Sequence, residues 1–289
     1  MEIGLIDVDG HHYPNLALMK LSAWHKRRGD NVEWYFGFKH YDRVYMSRIF
    51  DDTYSKDYEF PINADEVVRG GTGYGMTNNL PDEIEHIMPD YSLYGITDTA
   101  YGFLTRGCPR HCDFCIVGDK EGLTSRKVAD LSEFWDGQPN IELLDPNLLA
   151  CRDRTELLDQ LIDSKAYVNF SQGLDIRLTN SDVIDRLNRM KIKRIHFAWD
   201  NPNDKLEPYF KAFAEAYKRK SRKGVYVLTN FGSTLEQDLF RVNTLASLGY
   251  DPYVMIYDKP HAPKDIKRLQ RWCNSKWIFR SCAFENYTR

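Results

Sequence analysis

Three of the six cysteines lie close together, as Cys108, Cys112 and Cys115 in the segment 107–115, which reads GCPRHCDFC. Thiolates suit iron–sulfur clusters and zinc. Three thiolates on one short loop can bind three corners of a [4Fe–4S] cube, and the sequence has no fourth cysteine nearby. A structural zinc ion would need a fourth ligand, and His111 lies inside the loop, where reaching the same ion would be awkward. An incomplete set of protein ligands leaves one iron open to a substrate or a cofactor.

The other three cysteines, Cys151, Cys273 and Cys282, share no compact spacing. They could ligate an auxiliary cluster, but buried free thiols are the commoner arrangement. The N-terminus has neither a basic start nor an apolar stretch of signal-peptide length. We therefore expect a cytoplasmic location, where disulfides are rare and a cysteine cluster indicates metal binding or catalysis.

From residue 101 onward, short β-type segments alternate six times with amphipathic helical segments. The predicted strands are 101–108, 141–145, 167–172, 194–200, 225–231 and 253–258. In the helical segment 182–190, Val183, Ile184 and Leu187 fall on one face. Six βα units in succession require a parallel sheet with helices outside it. The fold class is therefore α/β, with either an open doubly wound sheet or a partial barrel.

The first hundred residues are predicted to form a smaller α/β unit. Segment 3–8 has the pattern of a buried strand, a helix runs to residue 28, and segment 32–36 forms a second strand, which makes one βαβ unit. Segments 43–50 and 66–68 could add two more strands. The expected division is residues 1–98 for this Rossmann-like domain and residues 99–289 for the six-unit domain.

The cysteine segment, with Phe114 before its last cysteine and on the loop after the first of six βα strands, resembles the radical S-adenosylmethionine (radical SAM) superfamily. The resemblance implies a partial (β/α)6 TIM-like barrel. In that family the three cysteines hold a [4Fe–4S] cluster, and the amino and carboxylate groups of SAM bind the fourth iron. Reduction of the cluster cleaves SAM to methionine and a 5′-deoxyadenosyl radical, which abstracts a substrate hydrogen. An electron donor such as flavodoxin or ferredoxin is an implied partner.

Two acidic residues match positions that bind SAM in the family. At the end of the second strand, relatives often have a Gly-Gly-Glu-like segment that meets the SAM amino group. Segment 143–147 reads LLDPN here, so the glycines are missing and Asp145 is the available acceptor. At the end of the fourth strand, many relatives have an acidic residue that hydrogen-bonds the ribose hydroxyls. Asp200 stands at that position, and a carboxylate can accept from both hydroxyls of a diol.

Four further residues are implied as cofactor contacts by their positions. Phe114 would place its backbone near the adenine. Gly232, in the segment NFGSTLE at 230–236, resembles the glycine-containing turn where relatives pass the adenine. Gln172 and Arg177 flank the end of the third strand, where either could reach the SAM carboxylate or the substrate. The alternative role of such polar residues is to cap helices and to satisfy loop backbone.

A βαβ unit followed by this core is similar to the layout of cobalamin-binding radical SAM proteins. Their Asp-x-His-x-x-Gly, Ser-x-Leu and Gly-Gly elements correspond to DGHHYP at 9–14, SRI at 47–49, and Gly70-Gly71. Pro14 replaces the glycine, Ile49 replaces the leucine, and the region is short for a complete cobalamin domain. We favour a shortened Rossmann-like domain that covers the active site or shapes the substrate pocket, and cobalamin is the alternative.

Composition excludes some partners. The net charge is −3, from 39 Lys+Arg and 42 Asp+Glu. Nucleic acid is not favoured because a nucleic-acid surface is normally basic. No apolar run approaches the roughly eighteen residues of a membrane helix, so no membrane association is expected.

Three functions follow from these observations. The favoured one is a radical SAM enzyme without cobalamin that acts on an unidentified small molecule, nucleotide or peptide. The second is a cobalamin-dependent radical SAM methyltransferase, and the third is a non-catalytic iron–sulfur or zinc-binding module. A methylthiolating enzyme would usually have three further cysteines upstream, and no cysteine precedes Cys108.

Overall fold

The computed structural model describes residues 1–10 and 13–288, and its strands form two parallel sheets and one antiparallel hairpin. The elements of the first sheet are β1 (Glu2–Asp7), α1 (Leu16–Arg27), β2 (Asn31–Trp34), β3 (Tyr41–Ser47) and β4 (Ala64–Gly70). The order in the sheet is β2-β1-β3-β4, with every neighbouring pair parallel. The predicted βαβ unit is therefore present, and the two further predicted strands extend its sheet.

The second sheet contains the six predicted strands of the βα units. The strands from residue 99 onward are β5 (Thr99–Gly102), β6 (Thr105–Arg106), β7 (Arg126–Lys127), β8 (Asn140–Leu143), β9 (Tyr167–Leu174), β10 (Ile192–Ala198), β11 (Arg222–Thr229) and β12 (Asp251–Ile256). The sheet order is β5-β8-β9-β10-β11-β12, so the strands follow one another as they do in the chain. Because parallel crossovers are right-handed, this order places the connecting helices on one face of the sheet.

The remaining helices are α2 (Asp82–Glu85), before the second sheet, and α3 (Val117–Glu121), α4 (Arg154–Ser164), α5 (Ser181–Arg189), α6 (Glu207–Ala216), α7 (Leu235–Ser247), α8 (Lys264–Asn274) and α9 (Lys276–Ser281). Buried residues of α4 to α8 belong to the same core as the second sheet. No helix in the described part of the chain has the length and apolar character needed to cross a membrane.

The alternation of side chains along the second sheet separates an apolar face from a polar one. The apolar face packs against the helices and forms the largest core of the protein through residues such as Ile141, Val168, Ile195, Val225 and Val254. The opposite face carries Glu142, whose carboxylate accepts from Asn169 Nδ2 at 2.8 and 2.6 Å. On the same face, His196 stacks on Tyr226 with ring centroids 5.0 Å apart. The sheet therefore has one face built for packing and one that presents polar groups.

The first predicted strand of this region, 101–108, is wrong in its extent. β5 ends at Gly102, and β6 leaves the sheet to pair antiparallel with β7. The cause is the buried carboxylate of Asp145, which accepts hydrogen bonds from the backbone N–H groups of Leu104 and Thr105 at 3.2 and 2.5 Å. A distant side chain thus replaces the sheet as the partner of this backbone, and the chain turns toward the cysteines.

The segment that includes α2 contacts both α1 and the second sheet. Lys20 of α1 pairs with Glu85 at 2.9 Å. The hydroxyl of Tyr91 donates to the carbonyl of Phe134 at 2.5 Å and accepts from the N–H of Tyr101 at 3.0 Å. The predicted domain boundary at residue 98 immediately precedes β5, and the division into two domains stays a prediction.

The segments compared with cobalamin-binding elements lie at the carboxyl edge of the first sheet. The carboxylate of Asp9 accepts from the N–H groups of Ile49 and Phe50 and from the hydroxyl of Ser55. Gly71 has a φ of +92°, and a Cβ there would lie 2.2 Å from the carbonyl oxygen of Arg48. This glycine is therefore required by close backbone packing. His11 and His12 lie outside the described residues.

Candidate functional site

The cysteine loop, residues 107–122, is closed at its base by one carboxylate and one backbone bond. The carboxylate of Glu121 accepts from Arg106 Nη1 at 2.7 Å and from the N–H of Gly107 at 3.0 Å. The N–H of Cys108 donates to the carbonyl of Gly122 at 3.1 Å. With the β6–β7 hairpin beneath it, the loop presents its cysteines from a fixed base.

Gly107 is required at the start of this loop. Its φ is +88°, and a Cβ there would lie 2.2 Å from the carbonyl oxygen of Thr124. We expect Gly107→Ala to lower the unfolding free energy by about 2–4 kcal/mol, through backbone strain and steric overlap. Urea denaturation of the metal-free protein measures this. Gly29→Ala is the matched control, because Gly29 has a φ of +82° with open space around its Cβ position; equal losses in both variants would contradict the steric argument.

Two polar contacts tie the cysteine loop to the carboxyl ends of neighbouring strands. Asn147, which follows β8, donates through Nδ2 to the sulfur of Cys108 at 3.4 Å. Arg110 forms a hydrogen-bonded ion pair with Asp175, which follows β9. Strands β8 and β9 are parallel neighbours, so these contacts hold the loop over one edge of the sheet.

An aromatic contact ties the same loop to a third strand end. The ring of Phe114 lies edge-on to that of Phe231, which follows β11, with centroids 5.5 Å apart. The ring of Phe231 in turn packs against that of Tyr257, which follows β12, with centroids 4.8 Å apart. These three rings form an apolar side of the site.

Two residues predicted as cofactor contacts, Asp200 and Arg177, influence the cysteines electrostatically. Cys112 and Cys115 are exposed, but the surrounding chain removes part of the water around each thiol. This desolvation, followed by the nearby Cys115, Asp200 and Cys108, raises the pKa of Cys112 to about 11, while Arg177 acts in the opposite direction. Desolvation also raises the pKa of Cys115, again with a contribution from Asp200. In the absence of a metal these thiols are therefore neutral at pH 7, and metal binding would have to release their protons.

Asp200 follows β10 and lies mostly out of water. Its Oδ1 accepts from the N–H of Leu228 at 3.2 Å. Burial raises the pKa of Asp200 to about 6, although that hydrogen bond and the charges of Arg241 and Arg177 favour the ionised form. When it is ionised, a carboxylate that is largely shielded from water is a strong hydrogen-bond acceptor for a bound ligand.

Arg241, which no sequence motif indicated, positions the chain around Asp200. It is fully buried on α7 and donates to the carbonyls of Trp199 and Asp200 at 2.6 and 2.8 Å. It also donates to the carbonyl of Leu228 at 2.9 Å and to Asp238 Oδ1 at 2.5 Å. Asp238 and Arg241 lie at i and i+3 on the otherwise apolar buried face of α7. A charged pair within an apolar stripe was the available sequence signal.

We expect Arg241→Met to lower the unfolding free energy by about 3–5 kcal/mol, because it leaves the buried carboxylate of Asp238 without its partner. Chemical denaturation measures the loss. The control is Arg222→Met, which removes an exposed ion pair with Asp251 and should cost about 0–1 kcal/mol. A loss in Arg241→Met as small as that of the control would contradict a structural role for the buried pair.

Asp145 lies in a different environment from that of Asp200. Its Oδ1 accepts from both the N–H and the hydroxyl of Thr105, and its Oδ2 accepts from the N–H of Leu104. Burial raises the pKa of Asp145 to about 6. Both carboxylate oxygens are thus engaged inside the chain, where they hold the turn between β5 and β6.

Of the remaining predicted residues, Gln172 lies within β9 near its carboxyl end, Arg177 follows β9, and Gly232 follows β11. Arg177 pairs with Asp175 through Nε at 2.8 Å and with Asp204 through Nη1 at 3.1 Å. Gln172 is exposed. Gly232 has a φ of +70°, and the position of its missing Cβ faces open space. The strand ends therefore place a guanidinium, an amide and an open backbone turn at the same edge as the cysteine loop.

The other three cysteines lie elsewhere. Cys151 and Cys273 are fully buried, and Cys282 is partly buried. Burial raises the pKa of Cys273, whose sulfur donates to the carbonyl of Pro252. Among residues 1–10 and 13–288, no three His, Cys, Asp or Glu side chains are grouped closely enough to hold a single metal ion.

Comparisons with known proteins give matches only among solved structures. No family model and no curated protein matches the chain. The crystal structure of Streptococcus suis SuiB bound to precursor peptide SuiA matches with a TM-score of 0.45 and 12% identity, over 63% of this chain and 46% of that chain. SuiB bound to S-adenosylmethionine matches with a TM-score of 0.45 and 13% identity, over 63% and 48% of the two chains. The match thus spans less than half of the length of either SuiB chain.

Proposed function

We propose that this chain is a radical SAM enzyme that binds a [4Fe–4S] cluster through Cys108, Cys112 and Cys115 and uses it to cleave SAM reductively. The observation that carries the proposal is the position of the three cysteines. They lie on one loop tied to the carboxyl ends of three parallel strands, with Asp200 close enough to affect two of them. Ligand sites in parallel α/β folds form at this edge.

The donor set fits an iron–sulfur cluster. Thiolates that bind different irons of a cube do not need to converge on one point as the ligands of a single zinc ion do. Asn147 donates to Cys108, and the backbone N–H of Val117 hydrogen-bonds Cys115, so two of the sulfurs already have N–H donors. Such donors stabilise the negative charge that cluster sulfurs carry.

The chain's own residues would hold SAM beside this cluster. When both are bound, the cluster and SAM supply an electron and a carbon radical that removes a substrate hydrogen. We propose that Asp200 accepts from the ribose hydroxyls and that Arg177 pairs with the SAM carboxylate in place of Asp204. Phe114 and Gly232 would border the adenine, and Gln172 is a second candidate for the carboxylate.

We do not include Asp145 among these contacts. Its oxygens already accept three hydrogen bonds from Leu104 and Thr105. Replacing them with bonds to SAM would release the turn that starts the cysteine loop. We propose instead that this carboxylate supports the loop.

The sequential strand order supports a partial barrel for residues 99–289. A sheet wound in one direction with all its helices outside curves toward closure, as in (β/α) barrels. The polar face with Glu142, Asn169, His196 and Tyr226 would then line the interior and offer hydrogen bonds to a substrate. We propose a small molecule, nucleotide or peptide as that substrate, and an abbreviated Rossmann-like N-terminal domain without cobalamin.

Anaerobic reconstitution tests the proposal. The protein is incubated with iron and sulfide, its iron and labile sulfide are counted, and dithionite then replaces the natural flavodoxin or ferredoxin. We expect four irons per cluster, a paramagnetic reduced state, and 5′-deoxyadenosine from added SAM. Corrin absorbance after incubation with hydroxocobalamin would instead favour the methyltransferase alternative. One zinc per chain with no SAM cleavage would contradict the proposal.

A further inference from the structure

Asn147 is a buried side chain next to one cluster cysteine. It is 3% exposed, and its Nδ2 donates to the sulfur of Cys108 at 3.4 Å. Its backbone carbonyl accepts from the hydroxyl of Ser125 at 2.9 Å and from the N–H of Ala150 at 3.2 Å. The backbone of Asn147 is therefore held in place, and its amide is directed at the sulfur.

The oxygen of the same amide indicates that the contact with Cys108 is the reason for an asparagine at this position. Asn147 Oδ1 is buried and has no hydrogen-bond partner. An unsatisfied buried oxygen is destabilising, so an asparagine that served only to fill this space would be inferior to leucine. The bond to Cys108 is the one polar interaction described for this side-chain amide, and it is directed at a proposed cluster ligand.

The other N–H donor to a loop sulfur is of a different kind. Cys115 is hydrogen-bonded by the backbone N–H of Val117, which any residue except proline would supply at that position. The donor at Cys108 depends on the side chain at position 147. It is therefore the donor that a change of amino acid can remove without altering the loop.

We propose that Asn147 is a positioning residue that raises the reduction potential of the cluster through its hydrogen bond to Cys108. This inference rests on the proposed function. Reduction adds one negative charge to the cluster and its sulfurs, and an N–H dipole directed at a ligand sulfur stabilises the reduced state more than the oxidised state. Asn147 thus makes it easier for an electron donor to deliver the electron that SAM cleavage requires.

The test is a redox titration of the reconstituted cluster, followed by electron paramagnetic resonance in the absence of SAM. Asn147→Leu removes the donor while keeping the same number and branching of side-chain heavy atoms, and Asn147→Asp keeps the shape but replaces the N–H donor with an acceptor. A net hydrogen bond corresponds to about a tenfold change in the one-electron equilibrium, or about 59 mV. We expect both variants to shift to more negative potential, and Asn147→Asp to shift further because of its charge.

The control is Asn274→Leu. Asn274 is partly buried, and its amide bonds the backbone of Val254 at 2.8 and 3.0 Å, away from the cysteines. This variant should retain the wild-type potential. If Asn147→Leu does not fold, Asn147→Asp still gives the measurement, because the substitution is isosteric.

The outcomes separate this inference from the proposed function. A wild-type cluster together with unchanged potentials in both Asn147 variants would overturn the inference alone, and the side chain would then be only a structural anchor. Failure of the wild-type protein to assemble a cluster would overturn the proposed function and this inference with it. A negative shift in the Asn147 variants, absent from Asn274→Leu, would establish the role of the hydrogen bond.

Discussion

Replacing Cys112 with alanine is expected to abolish SAM cleavage while leaving the fold intact. Cys112 is exposed, so its loss should change the unfolding free energy by less than about 0.5 kcal/mol. Without this thiolate, one iron of the proposed cube loses its protein ligand. We expect 5′-deoxyadenosine formation to fall by about 10³-fold or more, as for the loss of an essential catalytic group. Product analysis by chromatography after anaerobic reconstitution measures the change.

Cys282→Ala is the matched control for this prediction. Cys282 is partly buried at the end of α9, and its sulfur contacts the carbonyl of Ile278 at 3.8 Å. The substitution should preserve both the iron content and the rate of SAM cleavage. Wild-type cleavage by Cys112→Ala, or an equal loss in both variants, would show that the cysteine loop is not the site of the cluster.

Asp200→Asn is expected to weaken SAM binding by about 10- to 100-fold. The proposed bonds to the ribose hydroxyls are charge-assisted, and each contributes about 1.5–3 kcal/mol. Asparagine retains one oxygen that can still accept from the N–H of Leu228, so the strand end should keep its conformation. The dissociation constant of SAM, measured with reconstituted protein under anaerobic conditions, tests this expectation.

The same substitution should stabilise the metal-free protein above pH 6. Burial raises the pKa of Asp200 from 3.8 to about 6, so the folded state binds the proton more tightly than the unfolded state does. The stability of the wild-type protein therefore falls as the pH rises from about 4 to 6 and then levels off. The shift corresponds to about 3 kcal/mol at most, and partial solvent exposure reduces the expected gain to about 1–2 kcal/mol. Urea denaturation at pH 5 and pH 8 should show the larger gain at pH 8.

Asp163→Asn controls both measurements on Asp200. Asp163 is exposed on α4, and its replacement should alter neither SAM affinity nor the pH dependence of stability. Tighter or unchanged SAM binding by Asp200→Asn would contradict the assigned ribose contact. A gain in stability that did not depend on pH would contradict the attribution to a buried carboxylate.

The predicted strands were recovered well because their signals are local. Alternation and short apolar runs are properties of neighbouring residues, and all six segments after residue 101 overlap strands of one sheet. The first segment was overextended. The bonds that end β5 come from Asp145, about forty residues away, and no local pattern indicates a partner at that distance.

The identities of the residues at the strand ends were harder to predict. Asp145 and Asn147 are two residues apart after the same strand, and the family resemblance implies a role in SAM binding only for the carboxylate. In the folded protein, Asp145 bonds the chain at Leu104 and Thr105, whereas Asn147 bonds the sulfur of Cys108. Which of the two faces the cysteine loop depends on how the loop crosses the edge of the sheet.

The sequence by itself predicted a cysteine-based site and determined the supporting framework. Three thiols at short spacing fall on one loop whatever the rest of the chain does, and periodic apolar residues specify strands and helices through local burial. Only the tertiary structure decided which distant groups surround those thiols. Asp200 and Arg177 affect the pKa of Cys112 because the carboxyl ends of parallel strands meet at one edge of the sheet. Arg241 lies on a helix about forty residues after the strand end whose carbonyl groups it binds. Contacts between residues far apart in sequence depend on the packed arrangement of the whole sheet, which local patterns do not encode.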